Sequence, residues 1–350
     1  MEYRTLGRSG LKVSAISMGT FTFGGQGPFA MVGQQGVPEA RRLVDCCLDR
    51  GVNLFDTANM YSTGLSEEIL GEVLEGRRDR VLITSKARMR IGDGPNDEGV
   101  SRHHLIRECE ATLRKLRTDH VDIYYMHEWD GITPVEEKMA ALDALVTQGK
   151  VRYVGCSNYS GWQVMKSLMA SERDRRVRFV TQQIHYTLEA REAEYELLPI
   201  SVDQGLGVLV WSPLAGGLLT GKHRRGKPVP AGSRQAAGWT EPPIRHEERL
   251  WRIVDVLVEI GAAHGVSAAQ VALAWLLTRP AISSLVVGGR TEAQLIENFG
   301  ALELKLSADE MSRLNAISLP PEIYPYWHQG QFAAARFSEA DWALHANWRR

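Results

Sequence analysis

Four side chains in this sequence could together move a proton to or from an oxygen: the carboxylate of Asp56, the phenol of Tyr61, the ammonium of Lys86 and the imidazole of His127. Asp56 and Tyr61 stand close together in "NLFDTANMYSTG" (53–64), where an apolar run stops in a segment with no histidine or cysteine. A tyrosine of reference pKa about 10 is a poor acid at neutral pH, but a neighbouring cation favours phenolate and makes the phenol a better donor. Lys86 can supply that cation, Asp56 can keep the lysine charged and oriented, and His127 can hydrogen-bond a carbonyl or alcohol oxygen. The set suits proton delivery to a carbonyl oxygen that is gaining negative charge. None of the four can deliver a hydride, so the electrons have to come from a bound cofactor. Each residue alone has an ordinary structural use, as helix cap, solvated cation or bonded core histidine; their convergence is what points to chemistry.

Convergence requires elements that bring these positions to one place. Short apolar, β-branched runs recur along the chain: "VSAISMG", "VNLFDTA", "VLITSKA", "VDIYYMHE", "VRYVGCSN", "FVTQQIHY", "GVLVWSPL" and "SSLVVGG". Between them lie amphipathic stretches such as "SRHHLIRECEATLRKLR", in which Leu105, Cys109, Leu113 and Leu116 share one helical face. Strands too apolar to have a wet face, alternating with helices, fit a closed parallel (β/α)8 TIM barrel. In that fold the functional side chains stand at the C-terminal strand ends, where all four of these residues fall. "YRTLGRSGLKVS" reads as a hairpin closing the barrel bottom, and the Gly-, Pro- and Arg-rich stretch after the seventh strand reads as a long loop beside the site. The chain 1–350 is expected to be one domain: hairpin 1–13, barrel 14–306, and a C-terminal helix and aromatic tail 307–350. That tail fits packing on the outer helices as well as a place at the substrate pocket.

With 41 basic against 42 acidic residues, no global field draws the protein to nucleic acid or to a membrane, so its expected partners are small molecules. The four cysteines make no metal or disulfide spacing and read as reduced thiols. The N-terminal residues lack a signal-peptide core, and no apolar run is of membrane-spanning length, so a cytoplasmic location is expected. Oligomeric state is not legible, and a homo-oligomer is compatible with the sequence.

"FDTANMY", "ITSKA", "DIYYMHEWD", "GKVRYVGCSNYSGWQ", "WSPLAGGLLTGK" and "VVGGRTEAQLIENFGAL", in this order, resemble the aldo-keto reductase superfamily, in the branch of bacterial reductases and potassium-channel beta subunits. The resemblance implies a barrel using NADPH or NADH, with Asp56, Tyr61, Lys86 and His127 as the catalytic tetrad and Tyr61 as general acid in carbonyl reduction. It implies that Ser157, Asn158 and Gln182 hold the nicotinamide carboxamide and that Trp211 stacks on the ring. Ser212, Leu214, Gly216 and Lys222 would track the pyrophosphate; Gly288, Arg290, Gln294 and Asn298 would bind the adenosine half. Many relatives carry an arginine where this chain has Gln294, so Arg290 is expected to meet the 2′-phosphate and favour NADPH, with NADH possible.

Candidate pocket walls are Phe21, Phe23, Met60, Met89, Trp129, Tyr186 and Trp239, with Glu128 beside the histidine as a group that could favour a polar or cationic substrate. Three rival readings are weaker. "GQGPFA" (25–30) fits a dinucleotide fingerprint, yet Pro28 and the glycines that follow do not open a helix, so it reads as a flexible loop able to fold over a cofactor. A metal-dependent hydrolase would need ligands that the first strand end lacks, and no metal is expected. A cofactor-sensing regulatory subunit is the alternative from another class; such relatives often carry an N-terminal extension, whereas here Met1 leads directly into the hairpin.

Overall fold

The computed structural model describes residues 1–348. A hairpin of β1 (Tyr3–Thr5) and β2 (Lys12–Ser14) precedes eight parallel strands: β3 (Ile16–Gly19), β4 (Leu54–Asp56), β5 (Leu82–Ala87), β6 (Val121–Met126), β7 (Val151–Ser157), β8 (Phe179–His185), β9 (Gly207–Trp211) and β10 (Ile282–Val287). Each barrel strand pairs with the next in sequence, and β10 closes on β3 through the register Leu285 to Ile16. The expected (β/α)8 barrel and its N-terminal hairpin are therefore present.

Helices α1 (Val37–Asp49), α2 (Leu65–Val73), α3 (Arg102–Leu116), α4 (Val135–Thr147), α5 (Gly161–Asp174) and α6 (Leu197–Gln204) make successive crossovers. Two helices, α7 (Glu247–His264) and α8 (Ala268–Leu277), lie between β9 and β10, and α9 (Glu292–Phe299) follows β10. Their apolar faces meet the outward side chains of the strands, so the strands are buried on both sides, as their near-continuous hydrophobicity requires. The barrel interior is filled in turn by Leu54, Ile123, Tyr125, Leu209 and Val286, with Leu6 and Val13 of the hairpin plugging its bottom. Gly7 lies so close to the N-terminal end of β9 that a Cβ there would stand 2.4 Å from the Gly205 carbonyl oxygen and the Gly207 nitrogen. With φ +56 as well, the position demands glycine. The opposite, C-terminal face is thus the one left open to build a site.

Beyond the barrel come α10 (Ala308–Ile317), α11 (Tyr326–Phe332) and α12 (Glu339–His345). The tail packs on the outside: Tyr326 stacks on Tyr195 at 5.6 Å between ring centroids, and Trp348 flanks the same ring. Asn347 completes a buried cluster by accepting from Arg191 at 2.7 Å and donating to Glu194 at 2.6 Å. Of the two uses open to the tail, the structure takes packing on the outer helices. Among the described residues, no single helix is long and apolar enough to cross a membrane.

Candidate active site

Asp56, Tyr61, Lys86 and His127 come together at the open end of the barrel. Asp56 ends β4 and Lys86 lies one residue before the end of β5, which pairs with it, so both side chains project inward one strand apart. The lysine is fully buried, and its three donors are all used: to Asp56 Oδ2 at 2.6 Å, to the Thr57 carbonyl at 2.8 Å and to the Tyr61 hydroxyl oxygen at 3.4 Å. Asp56 Oδ1 in turn accepts from Thr84 Oγ1 and from Gln183 Nε2, the latter at 2.8 Å. An ammonium held this way has one geometry available, and it points at the phenol.

The backbone after β4 explains how Tyr61 reaches that ammonium. Thr57 and Asn59 extend the pairing with β5 by donating to the carbonyls of Thr84 and Lys86. Ser62, Thr63 and Gly64 then take three successive left-handed conformations, which turn the chain sharply into α2 and leave the Tyr61 ring over the barrel mouth. Ser62 Oγ braces the turn by donating to the Phe23 carbonyl at 2.7 Å and accepting from Gly25 N at 2.9 Å. Phe21 and Phe29 close on the tyrosine from the other side, with ring centroids 5.0 and 5.9 Å away. Phe29 comes from the "GQGPFA" loop, which forms a short 3-10 turn over the mouth and not a phosphate-binding helix start.

Electrostatics assign protonation states. Burial, then the Asp56 and Glu241 carboxylates, hold the Tyr61 phenol well above its ordinary value. The expectation of an unusually acidic phenol is corrected here: burial and the two carboxylates outweigh the opposing charge of Arg234, and Tyr61 is a protonated donor at neutral pH. Burial also lowers Lys86, opposed by Asp56. His127 is pushed well below the usual imidazole range by burial and by the charges of Lys86 and Arg88, so the ring is neutral. The Tyr61 and His127 centroids are 5.9 Å apart across the same cavity.

That cavity, of about 450 Å³, runs from Asp56, Tyr61 and His127 to the far side of β10, with Lys86 buried behind the phenol. Of the expected residues, Met60, Met89, Trp239 and Phe21 line the near part; Ser157, Asn158, Trp211, Ser212, Leu214, Gly216, Lys222, Gly288, Arg290, Gln294 and Asn298 line the rest. Asn158, left-handed at φ +56, ties the floor together: its amide accepts from Trp211 Nε1 at 2.9 Å and donates to the His127 carbonyl at 3.2 Å. After β9, Ser212, Ala215, Gly216 and Gly217 all have positive φ, a backbone concavity of the kind that receives anions. Gln294 caps the Arg290 backbone nitrogen at 2.8 Å, while the Arg290 guanidinium reaches the Gly232 carbonyl of the long loop.

Four expected wall or cofactor residues lie elsewhere. Gln182 faces outward and donates to the Leu197 carbonyl and Ser201 Oγ of α6; strand alternation puts its neighbour Gln183 into the barrel beside Asp56. Phe23 is wholly buried in the core beneath the loop, and Phe21 takes the wall position. Trp129 turns away from the cavity onto Tyr159, Trp162 and the Lys138 ammonium. Tyr186 bonds Glu194 and Arg279 behind β8. Among the lining residues not singled out from the sequence are Gln183, Arg234 and Glu241, and the sequence marks Phe29 only as part of its loop. Gln183 lies in a polar run of β8 that gives no phase, and the others sit in irregular loops without a pattern.

The cavity fits a nicotinamide dinucleotide on its own chemistry. Ser157 Oγ is buried at its wall with no partner, as an atom awaiting a carboxamide would be. Lys222 and Arg234 present cations near the anion-receiving turn. A profile of the Aldo/keto reductase family matches residues 15–319. The chain belongs to that family. Among its relatives, Uncharacterized oxidoreductase YrpG of Bacillus subtilis (strain 168) is 39% identical over 328 residues, 91% of this chain and 96% of the relative. A probable voltage-gated potassium channel subunit beta of Arabidopsis thaliana is 37% identical over 311 residues, 87% of this chain and 92% of the relative. The protein is accordingly an NAD(P)H-dependent oxidoreductase acting on small carbonyl compounds.

Proposed function

We propose that this aldo/keto reductase reduces aldehydes or ketones to alcohols with NADPH, and that Tyr61 is the general acid. The observation that carries the reading is the locked contact from Lys86 to the Tyr61 hydroxyl oxygen, which leaves the phenolic proton directed into the cavity. When bound, the nicotinamide cofactor supplies the hydride. This chain's part is to bind and orient: Ser157, Asn158 and Gln183 would hold the carboxamide end, with Trp211 under the ring. Ser212, Leu214, Gly216, Lys222 and Arg234 would meet the pyrophosphate, and Gly288, Arg290, Gln294 and Asn298 the adenosine half.

Neutral His127 can donate a hydrogen bond to the carbonyl oxygen, fixing it beside Tyr61 without competing for the proton. Tyr61 then gives its proton as negative charge develops, and the ammonium 3.4 Å away stabilises the phenolate left behind. In the oxidative direction the same phenolate would accept the alcohol proton. Because Tyr61 is held above its ordinary value, reduction should stay flat through neutral pH and oxidation should climb toward alkaline pH.

Tyr61→Phe tests the assignment. Reduction of a reactive aldehyde should fall by ~10² to 10⁴, the usual span for a general acid, while the dissociation constant for NADPH from fluorescence titration stays within about threefold. Full activity in the Phe variant would remove Tyr61 from the mechanism. A cofactor-sensing role with little turnover is the second reading, supported by the plant relatives' description as probable channel subunits. Turnover of simple aldehydes at an ordinary enzymatic rate would set it aside.

A further inference from the structure

The cavity has a second polar feature beyond the proton-transfer residues. Past Tyr61 and His127 its walls are apolar at Phe21, Met60, Met89 and Trp239, and the charged groups among them are the carboxylates of Glu128 and Glu241 and the Arg234 guanidinium over Phe21. Among the described residues neither carboxylate is in an ion pair. Glu128 is half-buried beside His127, held by the Asn158 amide and the Trp129 backbone N–H. Burial acts against its ionisation, those two hydrogen bonds and the Arg88 charge act for it, and the Glu241 carboxylate adds the smallest push against it. Both carboxylates line the same cavity.

The cationic groups nearby do not cancel that arrangement. Arg88 offsets part of the charge of Glu128 but does not line the cavity. Arg234 lies over the Phe21 ring at 5.4 Å and feels the charges of both Arg290 and Glu241, and the function proposed above gives it to the cofactor phosphates. A bound dinucleotide therefore draws on Arg234, Arg290 and Lys222, and leaves the carboxylates in excess at the other end. The imidazole of His127, only 9% exposed, has a buried Nδ1 without a hydrogen-bond partner and lines this same end. A ligand is thus expected there, and the neutral ring brings no positive charge to meet the acids.

We propose that Glu128 and Glu241 make the substrate end of this pocket selective for carbonyl compounds that carry a protonated amine. Ionised carboxylates only accept hydrogen bonds, so a substrate has to bring donors. Hydroxyl groups bring donors without charge. An ammonium brings both, and its hydrogen bonds to carboxylates are charge-assisted. Its aldehyde can then lie against Tyr61 and His127 with the amine reaching back between Glu128 and Glu241. The proposal rests on the carbonyl-reductase reading but adds a selectivity that the reading does not require.

A matched series of para-substituted benzaldehydes tests it. The 4-(dimethylaminomethyl) compound is cationic, its 4-isobutyl isostere is neutral, 4-(hydroxymethyl) offers an uncharged donor, and 4-(carboxymethyl) is anionic. At pH 7 with saturating NADPH, kcat/KM for the amine should exceed that of the isobutyl isostere by about tenfold and that of the acid by more, the scale of one charge-assisted hydrogen bond. Glu128→Gln and Glu241→Gln should each shrink the amine-to-isobutyl ratio within the variant, and the double variant should bring it near one. A wild-type ratio of one or below, equal preference for the hydroxymethyl compound, or a ratio untouched by the double variant would each overturn the proposal. Preference for the carboxymethyl compound would do so and would assign selectivity to Arg234. Calorimetric dissociation constants of the amine and isobutyl benzyl alcohols on the NADPH-loaded protein read the same selectivity without turnover. If none of the aldehydes is reduced, the reductase reading fails, while that binding ratio still decides the selectivity.

Discussion

Lys86 and Lys138 are both withdrawn from water, at 0% and 1% exposure, yet their surroundings differ in kind. Lys86 has a carboxylate at 2.6 Å, a carbonyl, and a phenol that itself lines the cavity. Lys138, on α4, has no carboxylate within ion-pair distance among the described residues. Its ammonium donates to Ser167 Oγ at 2.9 Å and to the Tyr159 hydroxyl at 3.3 Å, and the rings of Trp129, Tyr159 and Phe179 surround it at 4.9, 4.9 and 5.4 Å. Aromatic faces attract a cation but replace only part of its lost hydration. Burial accordingly pulls Lys138 down to about 8, with the Cys156 and Asp130 charges pushing back weakly and Lys166 adding to the fall. A buried lysine is therefore not by itself a sign of chemistry; a carboxylate partner and a bond to a phenol that lines the cavity are what separate Lys86 from Lys138.

The largest expected effect breaks the pair on the Lys86 side. Lys86→Met leaves Asp56 without its cation and removes the charge that stabilises the Tyr61 phenolate, so carbonyl reduction should fall by ~10² or more. The alkaline rise of alcohol oxidation should also move to higher pH, because the phenolate becomes harder to form. Lys138→Met should leave that profile in place. Steady-state pH profiles on both variants decide the matter, and an equal loss in the two would erase the distinction.

The sequence carried the Lys86 half of this contrast and not the Lys138 half. Strand ends mark Asp56, Lys86 and His127, because a closed parallel barrel has one functional face and the apolar runs show where each strand stops. The runs do not show which of two adjacent polar residues points inward: "TQQIH" offers Thr181, Gln182 and Gln183 with no apolar alternation to set the phase. Gln182 is thus the natural misreading. Trp129 looked like a pocket wall because it follows His127 by two residues, but it is claimed by a lysine on the next helix, a contact that periodicity cannot reveal. Arg234 and Glu241 sit in a loop without repeating pattern, so only the folded chain brings them to the mouth. Phe23 and Phe21 differ by one turn of irregular backbone, again without a phase to read.

A smaller effect sharpens the Lys138 side. A fall from 10.5 to about 8 corresponds to roughly 3 kcal/mol by which the folded state disfavours the ammonium. The sign follows from proton counting: below about 8 both states hold the proton and Lys138 gives no slope, whereas between about 8 and 10.5 the unfolded chain holds more protons. Stability attributable to Lys138 therefore rises with pH across that window, at up to about 1.4 kcal/mol per unit. Lys138→Met should raise the urea midpoint at pH 7 and lose this part of the slope, so that the difference between the two proteins shrinks as pH rises. A destabilised Met variant at pH 7 would mean that the cage compensates the charge fully.

The smallest expected effect separates the rings from the hydroxyls within that cage. Cation–π contact with a tryptophan face is worth ~1 to 2 kcal/mol when desolvated, and Trp129 is one of the two nearest rings to the ammonium. Trp129→Leu keeps the site apolar while removing that attraction, so the ammonium becomes costlier still and Lys138 should lose its proton about one unit lower. The onset of the Lys138-dependent stability slope, obtained as the difference between each protein and its own Lys138→Met partner, should shift from near 8 toward 7. Taking differences within each background cancels the packing lost with the indole. An unmoved onset would assign the ammonium's support to Ser167 and Tyr159 alone. A shift together with unchanged aldehyde turnover at neutral pH would confine Trp129 to the cage and keep it out of the substrate pocket.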